Sequence, residues 1–134
     1  MPTVFYQHTF HLLPKSRPLI PIRLRGRPGF PPIDTLALLD SGADRCVFSD
    51  AFAVRLGLDL SGGIGVPIKG ATGGRYSARI VPVTVELAGT AFQYRAAFTS
   101  GNIPYSFIGR EEVFDKSRWG FQVGNGVIYF HPQP

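Results

Sequence analysis

The sequence predicts an all-β domain with one or two short helices, and three observations carry that prediction. Glycine and proline contribute 16 and 12 of the 134 residues and are scattered between short apolar runs, the punctuation of many short strands and turns. Apolar and polar side chains alternate along several stretches, as in Val81, Val83, Val85 and Leu87 against Pro82, Thr84 and Glu86, the two-residue period of a half-buried strand. The length is that of one domain and suffices to close a hydrophobic core without staples.

Along the chain, Leu19 to Arg25 and Thr35 to Leu39 read as strands able to pair as a loose hairpin. The linker Gly26-Arg27-Pro28-Gly29-Phe30-Pro31-Pro32 between them cannot be helical. Ser49 can cap a short helix over Asp50 to Leu56 that Gly57 ends, with Phe52, Leu56 and Val54 expected toward the core. Ile64 to Ile68 and Tyr76 to Leu87 form the arms of a long hairpin. Its tip is Lys69-Gly70-Ala71-Thr72-Gly73-Gly74, whose glycines permit a tight turn. Phe92, Tyr94, Ala96 and Phe98 alternate on the next strand. A helical stretch over Arg110 to Lys116 then precedes strands at Arg118 to Val123 and Val127 to Phe130, about the turn Gly124-Asn125-Gly126. Residues 1–18 are expected to form an N-terminal segment and residues 19–134 the domain proper.

Composition narrows the function classes. The net charge of +5 resides in the first quarter, where Lys15, Arg17, Arg23, Arg25 and Arg27 all precede the first acid, Asp34. Arg23 and Arg25 alternate with Ile22 and Leu24, which makes them the solvated face of a strand. The aromatic interleaving of a single-strand binder is missing there, which argues against a nucleic-acid partner. No stretch reaches the roughly 18 apolar residues needed to cross a bilayer, and the N-terminus carries no leader pattern, so a cytoplasmic protein without membrane contact is expected. Cys46, the single cysteine, excludes an intrachain disulfide and reads as a small buried apolar side chain. His8, His11 and His131 lie near the termini without metal-ligand spacing, and neither metal nor cofactor is expected. Lys69-Gly70-Ala71-Thr72 lacks the Gly-Lys-Ser/Thr order of a phosphate loop, and the adjacent Glu111 and Glu112 point apart on a helix rather than forming an acid pair.

Asp40-Ser41-Gly42 is in isolation a common turn tripeptide. Here it directly follows the apolar run Leu36-Ala37-Leu38-Leu39, so its carboxylate emerges from the end of a buried strand. The segment Leu38-Leu39-Asp40-Ser41-Gly42-Ala43 resembles the first signature of the retropepsin-like aspartic peptidases. Phe107-Ile108-Gly109-Arg110-Glu111-Glu112-Val113-Phe114 is similar to their second, and the hairpin between the two stands where that family places its flap. The resemblance spans roughly Leu19 to Phe130.

That resemblance implies a single-lobe acid-protease β-barrel active as a symmetric homodimer, with Asp40 catalytic and Ser41, Gly42 and Ala43 as active-site support. Ser41 would hold the paired loops across the two-fold axis, and Gly42 would let a substrate backbone approach. Residues Lys69, Gly70, Ala71, Thr72, Gly73 and Gly74 would cover an extended peptide or unfolded protein substrate. The resemblance further implies a partly buried structural ion pair between Asp44 and Arg110. Peptide hydrolysis without metal or covalent intermediate needs one carboxylate to take a proton from water and one carboxylic acid to donate to the carbonyl oxygen. Two facing Asp side chains do both, because their repulsion leaves one proton shared between them. With one such Asp in the chain, the second has to come from another copy. The N-terminal segment Val4-Phe5-Tyr6-Gln7-His8-Thr9-Phe10 is longer and more aromatic than that of the retroviral enzymes, so it is a candidate for the dimer interface. The alternative of the same fold is a dimeric peptide-binding module that cleaves weakly or not at all.

Overall fold

In the computed structural model, which describes residues 8–12, 17–69, 75–122, 124 and 126–132, the alternating runs become ten strands among those residues. They are β1 (His8–His11), β2 (Leu19–Arg25), β3 (Ile33–Leu39), β4 (Val47–Ser49), β5 (Ile64–Lys69), β6 (Arg75–Leu87), β7 (Thr90–Thr99), β8 (Ser106–Ile108), β9 (Ser117–Gln122) and β10 (Val127–Pro132). One α-helix, α1 (Asp50–Arg55), follows β4. Single helical turns occupy Leu60–Gly62 and Arg110–Phe114, the latter wide enough that the Asp115 amide donates to the Arg110 carbonyl at 3.0 Å.

Six strands close into a barrel in the order β2-β3-β8-β4-β7-β6, with β6 pairing back onto β2 through Leu24 and Val85. The length of β6 makes this closure possible. Its first half pairs with β5, almost its whole length pairs with β7, and its end reaches β2. Val81, Val83, Val85 and Leu87 point into the barrel together with Phe92, Tyr94, Ala96 and Phe98 of β7, as their alternation requires. Ile20, Ile22 and Leu24 of β2 fill the same core.

Within the N-terminal segment, residues 8–11 form a strand. β1 pairs antiparallel with β10, which pairs with β9, and this three-stranded sheet turns an aromatic face to the barrel. Phe10 is buried there, Trp119 and Phe130 lie 4.7 Å apart between ring centroids, and Phe92 of the barrel meets Phe130 edge-on at 6.3 Å. Phe10 and Leu12 thus share one core with the barrel.

Helix α1 starts where expected, the Ser49 hydroxyl accepting the Ala51 amide at 3.3 Å, and stops at Gly57, whose φ of +68° disfavours any side chain. Its buried stripe differs from the expected one. Ala53 and Leu56, three residues apart, face the core, Phe52 is half-buried, and Val54 is 75% exposed because a helix this short presents only one narrow face inward. The basic residues of β2 are matched by acids. Arg23 grips Asp34 with Nε and Nη2 at 2.7 and 3.0 Å, and Arg25 Nε meets Glu86 Oε1 at 2.6 Å. The Arg23 guanidinium holds the Asp34 carboxyl below its ordinary value.

Candidate active site

The site is built where two parallel strands end side by side. β3 and β8 run in register with Leu39 opposite Ile108, and the Asp40 amide donates to the Ile108 carbonyl at 2.9 Å. β3 cannot continue past this point, since a turn closes through the Ala43 amide on the Asp40 carbonyl at 3.1 Å. The Gly42 amide donates to Asp40 Oδ1 at 3.0 Å, the local hydrogen bond that makes Asp a turn former. No other hydrogen bond to this half-buried carboxylate exists among the described residues, so its remaining acceptor capacity is left unfilled by them. Ser41 and Gly42 are exposed and Ala43 is half-buried.

The loop that follows is clamped onto the segment after β8. The Arg110 amide donates to the Ala43 carbonyl and the Glu111 amide to the Asp44 carbonyl, each at 2.9 Å. Gly109 lies under the Arg45 backbone so closely that a Cβ would stand 2.5 Å from the Arg45 carbonyl carbon. These bonds explain why the two sequence signatures belong together. The amides of Arg110 and Glu111, at the start of a helical turn and without partners in it, find them in the carbonyls of the Asp40 loop.

Asp44 and Arg110 form an ion pair from Oδ1 to Nη2, and Arg45 Nη1 lies 3.4 Å from Glu111 Oε2. The expectation of a partly buried Asp44–Arg110 pair needs correction, because the two side chains are 73% and 54% exposed. The backbones beneath them already carry the clamp, which leaves the charges at the surface of the protomer.

The arms of the hairpin expected as a flap are β5 and β6, in register from Ile64 opposite Ile80 to Lys69 opposite Arg75. Gly70, Ala71, Thr72, Gly73 and Gly74, its expected tip, lie outside the described residues, as does the side chain of Lys69. Beside the arms a second, smaller apolar cluster gathers Ala78, Ile80 and Ala97 with half-buried Val47, Val66 and Ile68. Val47 of this cluster stands opposite Phe107 of β8, which in turn stands opposite Leu38 of β3, the strand that ends just before Asp40.

Cys46 plays a larger part than its sequence context indicated. Fully buried, its Sγ accepts the Gly109 amide at 3.3 Å, and burial pushes its thiol up to about 12, with hydrogen bonds from Tyr94 and Gly109 pulling the other way. No local sequence signal marks this contact, whose partners are 63 residues apart. Among the described residues no group of three or more His, Cys, Asp or Glu side chains could hold a metal ion, and no helix is long and apolar enough to cross a membrane.

A family model described as aspartyl protease matches residues 20–111, which contain both clamped loops and the hairpin between them. Among solved structures, the chain resembles the EIAV protease complexed with the inhibitor HBY-793, with a TM-score of 0.57 and 26% identity over 75% of this chain and 88% of that one. It also resembles a retropepsin-like aspartic protease from Rickettsia conorii, with a TM-score of 0.62 and 16% identity over 90% of this chain and 97% of that one. No curated protein sequence matches significantly. The barrel, the Asp40 turn and the clamp beneath it therefore have one common interpretation: the chain belongs to the aspartyl protease family, with a retropepsin-like fold.

Proposed function

We propose that two copies of this chain assemble about a two-fold axis into an aspartic endopeptidase, each contributing Asp40 to one catalytic pair. The observation that carries this is the placement of Asp40, which follows the end of a barrel strand in a turn that fixes one carboxylate oxygen through Gly42 and leaves the rest of its acceptor capacity unfilled. A single carboxylate cannot be base and acid at once, so the chemistry requires the second copy. Side by side, the two Asp40 groups share one proton. The ionised member takes a proton from the attacking water, the protonated one donates to the carbonyl oxygen, and the pair titrates as a unit.

Ser41 follows Asp40 and is exposed, suited to a hydrogen bond with the other copy's loop; exposed Gly42 leaves room for a substrate backbone, and Ala43 keeps the floor small. The hairpin whose arms are β5 and β6 covers an extended peptide through residues 69–74, main-chain pairing giving affinity. The apolar cluster of Val47, Val66, Ile68 and Ile80 beside those arms favours apolar side chains flanking the cleaved bond. The Asp44–Arg110 pair braces the loop from outside.

Replacing Asp40 by Asn keeps the side chain's shape and its Oδ1 acceptor but removes the ionisable group. Cleavage of an unfolded protein is expected to disappear in this variant, with thermal midpoint and dimer mass unchanged. Undiminished cleavage by Asp40→Asn would refute the assignment. Peptide binding by the wild type with no cleavage between about pH 3 and 8 would select the binding-module alternative.

A further inference from the structure

We infer that Cys46 is a positioning residue for Asp40, acting through the amide of Gly109. This deepens the peptidase reading and rests on it. The clamp beneath Asp40 consists of backbone hydrogen bonds, Asp40 to Ile108, Arg110 to Ala43 and Glu111 to Asp44, together with a buried side-chain bond from the Gly109 amide to Cys46 Sγ, while the Asp44–Arg110 and Arg45–Glu111 pairs lie outside it at the surface. Gly109 stands between the residue that accepts the Asp40 amide and the one that donates to Ala43, so its position sets both.

Cys46 is well placed to hold that position. It closes the loop that Asp40 opens, its side chain is fully buried, and its own carbonyl accepts the Ala97 amide at 3.0 Å, which anchors it to β7 of the barrel. The sulfur that the Gly109 amide meets is fully buried, and Gly109 itself is packed against the Arg45 backbone. An apolar side chain at position 46 would fill the volume but leave a buried amide without a partner, and the segment 108–110 would move to find one. Displacements of that kind reach the Asp40 carboxylate through a single peptide unit.

Three substitutions separate positioning from packing. Cys46→Val fills the site without an acceptor, Cys46→Ala leaves a cavity without an acceptor, and Cys46→Ser keeps an acceptor. With enzyme saturating for dimer, Val and Ala are expected to lose kcat to a similar extent, on the order of tenfold, although Ala is the less stable. KM should stay within about twofold, and Ser should recover most of kcat. Wild-type kcat in Cys46→Val would overturn the inference, as would kcat values that simply follow the melting temperatures. Amide hydrogen exchange at Gly109 gives a readout independent of catalysis: it should quicken in Val and Ala but not in Ser, and unchanged protection in Val refutes the positioning role even if the wild type proves unable to cleave. Failure of the peptidase reading shows separately, as cleavage that persists in Asp40→Asn.

Discussion

Gly109 and Arg45 touch backbone to backbone: a methyl group on Gly109 would stand 2.5 Å from the Arg45 carbonyl carbon and 2.8 Å from its amide nitrogen. Neither neighbour is the flexible end of a side chain, so relief requires the loop after Asp40 itself to shift. Gly109→Ala is therefore expected to cost about 1–3 kcal/mol or more, read as a lower urea midpoint at unchanged slope, and to reduce peptide cleavage in the protein that still folds. Wild-type stability in this variant would contradict the packing described.

The exposed Asp44–Arg110 pair should matter little to the protomer. Ion pairs at this exposure contribute about 0–1 kcal/mol, and the backbone bonds under this one survive removal of the charges. Asp44→Asn and Arg110→Gln should each shift the unfolding free energy by less than about 1 kcal/mol at protein concentrations low enough to keep the chain monomeric. A loss several times larger would mean that the pair is held in a desolvated site.

Stability should fall on the alkaline side because of Cys46. Its thiol is raised from 9.0 to about 12 in the folded chain, chiefly by burial, so between those values the unfolded chain loses a proton that the folded chain keeps. Fewer protons bound in the unfolded state make unfolding more favourable as pH rises. The contribution is thus fully present below pH 9.0 and is lost as pH rises toward about 12. Comparing melting temperatures of wild type and Cys46→Val across this range should show a steeper decline in the wild type. The native thiol should also resist alkylation at neutral pH and react once the chain is unfolded.

Activity should depend on protein concentration. With one Asp40 per protomer, specific activity is expected to fall on dilution below the dimer dissociation constant. Adding an equal amount of Asp40→Asn chain at saturating concentration should reduce cleavage to about half, because random pairing places half of the active protomers in mixed dimers. Activity strictly proportional to concentration, and indifferent to the added variant, would show that a single protomer suffices.

Much of the fold was legible in sequence because it rests on short-range periodicity. The alternation of Val81 to Leu87 and of Phe92 to Phe98 dictates which face of β6 and β7 is buried, and a Ser at position 49 with a Gly at 57 brackets a helix whatever surrounds it. Val54 marks the limit of that approach. Its side chain suits a core, but the buried face of a six-residue helix is chosen by what it packs on, and Ala53, with Leu56 at the C-cap, took that place.

Asp40 was visible from its own neighbours, since an apolar run ending in Asp-Ser-Gly-Ala places a carboxylate at the end of a strand, although that strand is half-buried, with Leu36 exposed, rather than buried on both faces. The sequence by itself also determined the strand content, the absence of an intrachain disulfide, and the need for a second carboxylate if the chain is to hydrolyse peptides. Tertiary structure alone decided the rest: that β6 is long enough to close the barrel on β2, that His8–His11 joins the core through β10, and that the expected Asp44–Arg110 pair stays exposed on the protomer. It also made Cys46 an acceptor for Gly109. The physical reason is common to all four. Each depends on contacts between segments far apart in the chain, where burial and unsatisfied backbone groups choose the partners and no local pattern of residue types encodes the choice.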